Sequence, residues 1–191
     1  IGGDEAPKGN WDKCPHCIGR INNLGLKDSH DLQLWLAARM ATHLKTRNRK
    51  AVMWGDVVYS TGYPLPDNCV VQWWNFRSKG DLAVRNALKS GLEVILSPNY
   101  YNYLNFPVTP WAGYSAERTF DLEDAYCRNP MTAVLDEDNP LVLGATCALW
   151  TDYGVTESMI DSRVFPRIFA LTQRMWHRGE ELTYEALCAR I

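Results

Sequence analysis

Short apolar runs alternate with segments of helical spacing along this chain of 191 residues. Strands that are buried on both faces are continuously apolar, and such strands belong to parallel sheets covered by helices. The alternation therefore predicts an α/β fold. The predicted strands cover 51–54, 70–74, 94–97 and 141–150, and the predicted helices follow a cap at Asp28-Ser29 and cover 81–90 and roughly 162–176.

Two of these segments lead to more specific expectations. In the first helix, five apolar residues recur at helical spacing and predict its buried face, namely Leu32, Trp35, Leu36, Met40 and Leu44. The long stretch from Pro98 to Pro140 is rich in Tyr, Pro and Asn, and it is predicted to be a loop.

Clusters of aromatic and polar residues recur at the ends of the predicted strands. The clusters are Trp54-Gly55-Asp56, Trp74-Asn75, Tyr103-Leu104-Asn105 and Trp150-Thr151-Asp152. A core tryptophan would explain any one of them, but four in matching positions favour a ligand-binding face. In a (β/α)8 barrel the active site lies at the C-terminal ends of the strands, which is where these clusters fall.

The chain opens with Gly2-Gly3-Asp4-Glu5, which places two carboxylates side by side. Neighbouring side chains diverge along a strand, so both carboxylates serve one ligand only if the chain turns there. The two glycines permit such a turn. An ordinary acidic turn is the alternative interpretation, and the four residues by themselves do not exclude it.

Composition narrows the class of protein. The formal net charge of -2 does not indicate a nucleic-acid surface, and no apolar run is long enough to span a membrane. The 8 Trp and 9 Tyr fit stacking on sugar rings and equally fit a large core. Cys14 and Cys17, with His16 and His30, are a weak zinc signal because no second cysteine pair follows. A reduced pair or a local disulfide is favoured.

The two adjacent carboxylates suggest acid/base chemistry on a glycosidic bond. A conventional pair of glycosidase carboxylates lies across the bond, several ångströms apart, and sequence neighbours fit that arrangement poorly. They fit substrate-assisted hydrolysis better, in which the 2-acetamido oxygen of the substrate attacks the anomeric carbon. One carboxylate would then orient the acetamido nitrogen, and the other would act as acid and then as base.

In these features the chain resembles the β-N-acetylhexosaminidases of glycoside hydrolase family 20, over nearly its whole length. The opening residues match the last five positions of the family motif His-x-Gly-Gly-Asp-Glu. The further matching segments follow in family order: Ala6-Pro7, Trp11, Cys14-Pro15-x-Cys17, Leu26 to Gln33, Trp54, Trp74, Tyr103, Trp150 and Phe165-Pro166-Arg167 to Trp176.

The resemblance implies a role for each matching residue. Asp4 would hold and polarise the acetamido nitrogen, and Glu5 would protonate the leaving oxygen and later deprotonate the attacking water. Tyr103 would donate its hydroxyl to the acetamido oxygen. The walls of the pocket would be formed by Trp54, Trp74 and Trp150. An intramolecular nucleophile has a large effective molarity, so no enzyme nucleophile, metal or cofactor is implied.

Two positions depart from the family pattern, and both normally hold outer hydroxyls of the terminal sugar. Asn105 stands where the family usually has Asp, and Asp152 stands where it usually has Glu. Charged hydrogen bonds are roughly twice as strong as neutral ones. We therefore expect altered hydroxyl recognition, and the preference between the two N-acetylhexosamines stays open.

A whole (β/α)8 barrel takes about 250 residues. The resemblance implies that residues 1–191 are the C-terminal half of such a barrel, beginning at the end of its fourth strand and supplying roughly strands five to eight with their helices. The implied partners are glycans that end in N-acetylhexosamine, together with the missing N-terminal half or a second copy that closes the sheet. The family resemblance suggests a periplasmic, secreted or lysosomal location.

Three functions remain in competition at this point. The leading one is an exo-acting β-N-acetylhexosaminidase. The second is a sugar-binding fragment with impaired catalysis, which Asn105 and the short chain would explain. The third is a retaining glycosidase that uses Glu5 and Asp152 as its two carboxylates.

Overall fold

The computed structural model describes residues 1–109, 119–151, 154–176 and 182–191. The chain divides into two compact units, Ile1–Ile95 and Leu96–Ile191. The first unit contains helices α1 (Pro15–Leu24), α2 (Ser29–Lys45), α3 (Phe76–Lys79) and α4 (Leu82–Lys89), strands β1 (Ala51–Trp54), β2 (Cys69–Trp73) and β3 (Glu93–Leu96, ending in the second unit), and the 3-10 helix Gly55–Tyr59. The second contains α5 (Leu122–Cys127), α6 (Met131–Asp136), β4 (Val142–Ala145), the 3-10 helix Glu157–Met159, α7 (Ile160–Val164), α8 (Arg167–Trp176) and α9 (Tyr184–Cys188).

The strands of the first unit are hydrogen-bonded neighbours in the order β1, β2, β3. β1 and β2 run parallel, which confirms the predicted parallel sheet for this pair. The start of the chain lies beside β1, since the nitrogen of Ile1 donates to the carbonyl of Val52 at 2.6 Å and Trp54 donates to the carbonyl of Gly2 at 3.1 Å. The Asp4-Glu5 pair that follows therefore lies near the end of β1.

Helix α2 begins where the sequence predicted, because the Asp28 side chain accepts hydrogen bonds from the backbone of the first turn. Its predicted buried face is confirmed at Leu32 and wrong at Leu36 and Met40. Leu36 is 48% exposed and Met40 is 45% exposed, whereas four other residues that were not on the predicted face are buried, namely Leu34, Ala37, Ala38 and Ala41. Alanine side chains end at Cβ, so the alanine-rich face can pack closely against its neighbours.

The second unit differs from the sequence prediction in three places. The predicted loop from Pro98 to Pro140 contains α5 and α6, and α5 is started by a capping box between Asp121 and Asp124. The predicted last helix is divided into α7 and α8 at Pro166, which has no N–H for the helical ladder. β4 ends at Ala145, so the predicted strand to Trp150 is too long.

Within the second unit, β4 is followed by Thr146, whose N–H donates to the carbonyl of Leu96 at 2.9 Å. The cores of the two units differ in kind. Residues of the sheet and of α2 and α4 fill the first, including the wholly buried Trp73. The second contains the buried guanidinium of Arg167, which lies over the ring of Phe120 at 4.5 Å from its centroid.

Three of the remaining sequence-based questions are addressed by the described part of the chain. Cys14 and Cys17 are free thiols, as are the other cysteines. Among residues 1–109, 119–151, 154–176 and 182–191, no group of three or more His, Cys, Asp or Glu side chains is arranged to hold a metal ion. Over the same residues, no helix combines the length and apolarity needed to cross a membrane.

Candidate active site

The turn that carries Asp4 and Glu5 depends on Gly3. Gly3 has φ +106, and a Cβ atom there would lie 2.3 Å from Cγ2 of Val57, which no side chain tolerates without movement. Its carbonyl accepts a hydrogen bond of 2.7 Å from Nε2 of Gln33, a residue of α2. The turn is thus held between α2 and the segment that follows β1, and both carboxylates are exposed.

Glu5 itself has φ 49, in the left-handed region that side chains other than glycine rarely occupy. Its N–H donates to Oδ1 of Asp56 at 3.2 Å. The other oxygen of the same carboxylate, Oδ2, accepts a hydrogen bond from the indole Nε1 of Trp74. We call these three residues, Glu5, Asp56 and Trp74, the Asp56 clamp.

Asp56 was not among the site residues predicted from the sequence. Its position in the strand-end cluster Trp54-Gly55-Asp56 was a usable signal, because the other strand-end clusters supplied most of the predicted binding residues. What the sequence lacked was the pairing, since Glu5 and Asp56 are 51 positions apart.

The charge of Asp56 affects the pKa of two neighbouring residues, Lys8 and Tyr59. Burial lowers the pKa of Lys8, and attraction by Asp56 and Asp12 opposes that change. Burial and then Asp56 raise the pKa of Tyr59, while a hydrogen bond from Asn75 opposes that change. Lys8 also donates to the carbonyl of Ala6 at 2.7 Å, directly after the turn.

Adjacent tryptophans at the end of β2 have different surroundings. Trp73 is buried, and its Nε1 donates to the carbonyl of Gly80 at 2.9 Å. Trp74 is half-buried and belongs to the Asp56 clamp. The half-buried Trp54 is bonded through its backbone to Gly2. The first unit therefore brings Trp54 and Trp74, which were predicted as pocket walls, close to the Asp4-Glu5 turn.

The second unit brings Tyr103 and Trp150 together. Tyr103 forms a parallel bridge with Ala148, in which Leu104 donates to the carbonyl of Ala148 at 2.7 Å and Ala148 donates to the carbonyl of Asn102 at 3.0 Å. The Tyr103 and Trp150 rings lie 6.0 Å apart between centroids. Tyr103 is buried, and Trp150 is 45% exposed.

Asn105 follows on the same segment and is 3% exposed. The carbonyls on either side of it are held by Arg167, whose guanidinium donates to Leu104 at 2.9 Å and to Phe106 at 2.7 Å. A further hydrogen bond of 2.8 Å reaches the carbonyl of Phe120. Burial and then Arg163 lower the pKa of Arg167 to about 10, so the group is protonated at neutral pH. Asp152 lies outside the described residues.

Arg167 is a second residue whose function the sequence did not indicate. It was noted only within the family segment Phe165-Pro166-Arg167, without a role. The structure shows that it anchors the backbone on both sides of Asn105.

Comparison with known proteins assigns the family. The sequence model of the glycosyl hydrolase family 20 catalytic domain matches residues 1–179, so the chain belongs to this family. The crystal structure of a β-N-acetylhexosaminidase from Bacteroides fragilis is 59% identical, with a TM-score of 0.92 over 100% of this chain and 38% of that chain. An exo-β-N-acetylglucosaminidase from Vibrio harveyi shares the fold, with a TM-score of 0.78 and 24% identity over 100% of this chain and 30% of that one.

Among relatives of known sequence, a β-hexosaminidase of Porphyromonas gingivalis is 30% identical over 200 residues, covering 100% of this chain and 24% of the relative. A β-hexosaminidase of Vibrio furnissii is 30% identical over 182 residues, covering 90% of this chain and 28% of the relative. The chain thus spans roughly a quarter of the length of these relatives. The predicted fold class is confirmed, since the chain is an α/β fragment of the family's TIM barrel.

Proposed function

We propose that the protein containing this chain is an exo-acting β-N-acetylhexosaminidase, which removes terminal β-linked GlcNAc or GalNAc by substrate-assisted hydrolysis. The acetamido oxygen of the substrate forms a bond to the anomeric carbon while the glycosidic bond breaks. Glu5 gives its proton to the leaving oxygen. Water then opens the cyclic intermediate and returns a proton to Glu5, so the product keeps its β configuration.

The roles of the other residues follow from this chemistry. Asp4 orients and polarises the acetamido nitrogen, and Tyr103 donates its hydroxyl to the acetamido oxygen. Trp54, Trp74 and Trp150 wall the sugar, because flat aromatic rings cover its apolar faces. The outer hydroxyls of the sugar bind to Asn105 and Asp152.

One observation carries this proposal: two adjacent, exposed carboxylates lie on a tightly held turn in a chain that matches the family 20 catalytic domain over residues 1–179. Glu5 has φ 49, so the chain turns between the two carboxylates. Such a turn suits one carboxylate that serves the acetamido group and another that serves the glycosidic bond. The names of the relatives from B. fragilis, P. gingivalis and V. furnissii support the same activity.

The direct test uses the intact protein and the p-nitrophenyl N-acetyl-β-glucosaminide and N-acetyl-β-galactosaminide. We expect p-nitrophenol release from at least one of them, with the β anomer of the free sugar as first product by NMR. A folded protein that releases no p-nitrophenol from either substrate would contradict the proposal.

Three further compounds, one substrate and two ligands, separate the competing functions. A retaining glycosidase with an enzyme nucleophile would hydrolyse the p-nitrophenyl β-glucoside, which has no acetamido group, as fast as the N-acetyl substrate. A sugar-binding fragment would bind N-acetylglucosamine but would not hydrolyse the p-nitrophenyl substrates. Tight calorimetric binding of N-acetylglucosamine-thiazoline, a mimic of the cyclic intermediate, together with turnover supports the substrate-assisted enzyme.

A further inference from the structure

Asp56 joins two parts of the first unit that the proposed mechanism uses separately. Its Oδ1 atom accepts the N–H of Glu5 at 3.2 Å, and its Oδ2 atom accepts the indole N–H of Trp74. One carboxylate therefore contacts the backbone of the proposed acid/base residue and the ring of a proposed pocket wall.

From these contacts we infer that Asp56 is a positioning residue, which sets the backbone of Glu5 and the ring of Trp74 in one mutual arrangement. The inference rests on the proposed function, because it assigns Glu5 to proton transfer. Asp56 does not itself exchange a proton with the substrate, and it acts only through these two residues.

The backbone that carries Asp56 is itself held firmly. A Cβ atom at the preceding residue, Gly55, would lie 2.8 Å from Cβ of Ala83, so the chain here is pressed against α4. An aspartate has only two side-chain torsions, so a fixed backbone leaves its carboxylate little freedom. The two carboxylate oxygens are then held in place, and each can orient one donor: the backbone N–H of Glu5 and the indole N–H of Trp74.

The first measurement compares how the rate of hydrolysis depends on the leaving group of the substrate. General acid catalysis matters most when the leaving oxygen is strongly basic. If Asp56 positions Glu5, Asp56→Ala in the intact protein should lower kcat/KM for a disaccharide such as N,N'-diacetylchitobiose by ~10-fold more than for a 2,4-dinitrophenyl substrate. Asp56→Asn keeps one acceptor oxygen, so it should show an intermediate ratio.

The Trp74 contact has a readout that does not depend on activity. In protein labelled with ¹⁵N-tryptophan, Trp74→Phe identifies the Trp74 indole resonance. Asp56→Ala should move that resonance upfield, because the indole loses its carboxylate acceptor. The Trp73 resonance should stay in place, since Trp73 donates to the carbonyl of Gly80.

Asp31→Asn is the matched control. The buried Asp31 also accepts two hydrogen bonds, from the hydroxyl of Ser60 at 2.8 Å and the N–H of Lys27 at 3.1 Å. Both variants remove a carboxylate from the first unit, and only Asp56→Asn should change the ratio between the two substrates.

The outcomes separate this inference from the proposed function. An inactive wild-type protein overturns the proposed function and the catalytic part of the inference with it. An active wild type whose Asp56→Ala variant loses equal activity on both substrates overturns the inference alone. An unmoved Trp74 indole resonance in Asp56→Ala also overturns it.

Discussion

The two units anchor their predicted site residues by opposite charges. In the first unit, a half-buried carboxylate accepts two N–H groups and so holds the Glu5 backbone and Trp74. In the second, a wholly buried guanidinium donates to backbone carbonyls on both sides of Asn105.

This difference reflects the surroundings of the two segments, one exposed to solvent and the other buried. The substrate and water must reach Asp4 and Glu5, and the support of their turn lies near the surface and leaves both carboxylates exposed. The Tyr103 to Phe106 segment is buried, and two of its carbonyls, those of Leu104 and Phe106, accept hydrogen bonds from Arg167. We therefore expect loss of the Glu5 carboxylate to affect mainly activity and loss of the Arg167 guanidinium to affect mainly folding.

The largest effect should come from Glu5→Gln. Without the proposed acid, kcat for a disaccharide substrate should fall by about 10²–10⁴-fold, while the melting temperature stays near that of the wild type because the side chain is exposed. Glu123→Gln is the control, since Glu123 pairs with Arg128 at the surface and its loss should leave kcat unchanged. Unchanged activity in Glu5→Gln would mean that another residue is the acid.

The second region should be disrupted by Arg167→Met. Four carbonyl oxygens, those of Leu104, Phe106, Phe120 and Arg163, lose a donor in the interior, so the free energy of unfolding should fall by roughly 3 kcal/mol or more. Urea denaturation of the intact protein measures this loss. Arg128→Met, which removes an exposed guanidinium paired with Glu123 and Asp124, should change the midpoint far less. Equal midpoints for the two variants would show that the buried guanidinium is not an anchor.

A smaller effect on folding is expected in the first region from Gly3→Ala. The added Cβ meets Val57 at 2.3 Å on a residue with φ +106, and strain of this kind costs roughly 1–3 kcal/mol. Gly9→Ala provides the comparison, because a Cβ at Gly9 meets nothing within 4 Å. If the two alanine variants are equally stable, the turn is not held as tightly as its contacts indicate.

The smallest effect should come from the surface pair of Lys50 and Glu93. Exposed ion pairs contribute little because water screens them and two long side chains must be ordered. Lys50→Met should therefore leave both the unfolding midpoint and kcat close to the wild-type values. A loss of stability as large as that of Arg167→Met would remove the distinction between buried and surface charges.

Local signals in the sequence predicted much of the fold. The cap at Asp28 located the start of α2, and continuous apolar runs located β1 and most of β2. The buried face of α2 was predicted correctly at Leu32 but not at Leu36 and Met40, because hydrophobicity favoured these two while close packing selected the alanines. The helices α5 and α6 were missed, since the Tyr- and Pro-rich composition of their surroundings concealed the capping box at Asp121.

By itself, the sequence determined the α/β class and the family, and it predicted a set of site residues. Only the tertiary structure decided how those residues are supported. Asp56 contacts Glu5 across 51 positions, and Arg167 contacts Leu104 across 63. The residue type determines which hydrogen bonds a side chain can donate or accept, but its hydrogen-bond partner is determined by how distant segments pack. For that reason Asp4 and Glu5 could be predicted as site residues from the sequence, whereas the contacts of Asp56 and Arg167 became visible only in the fold.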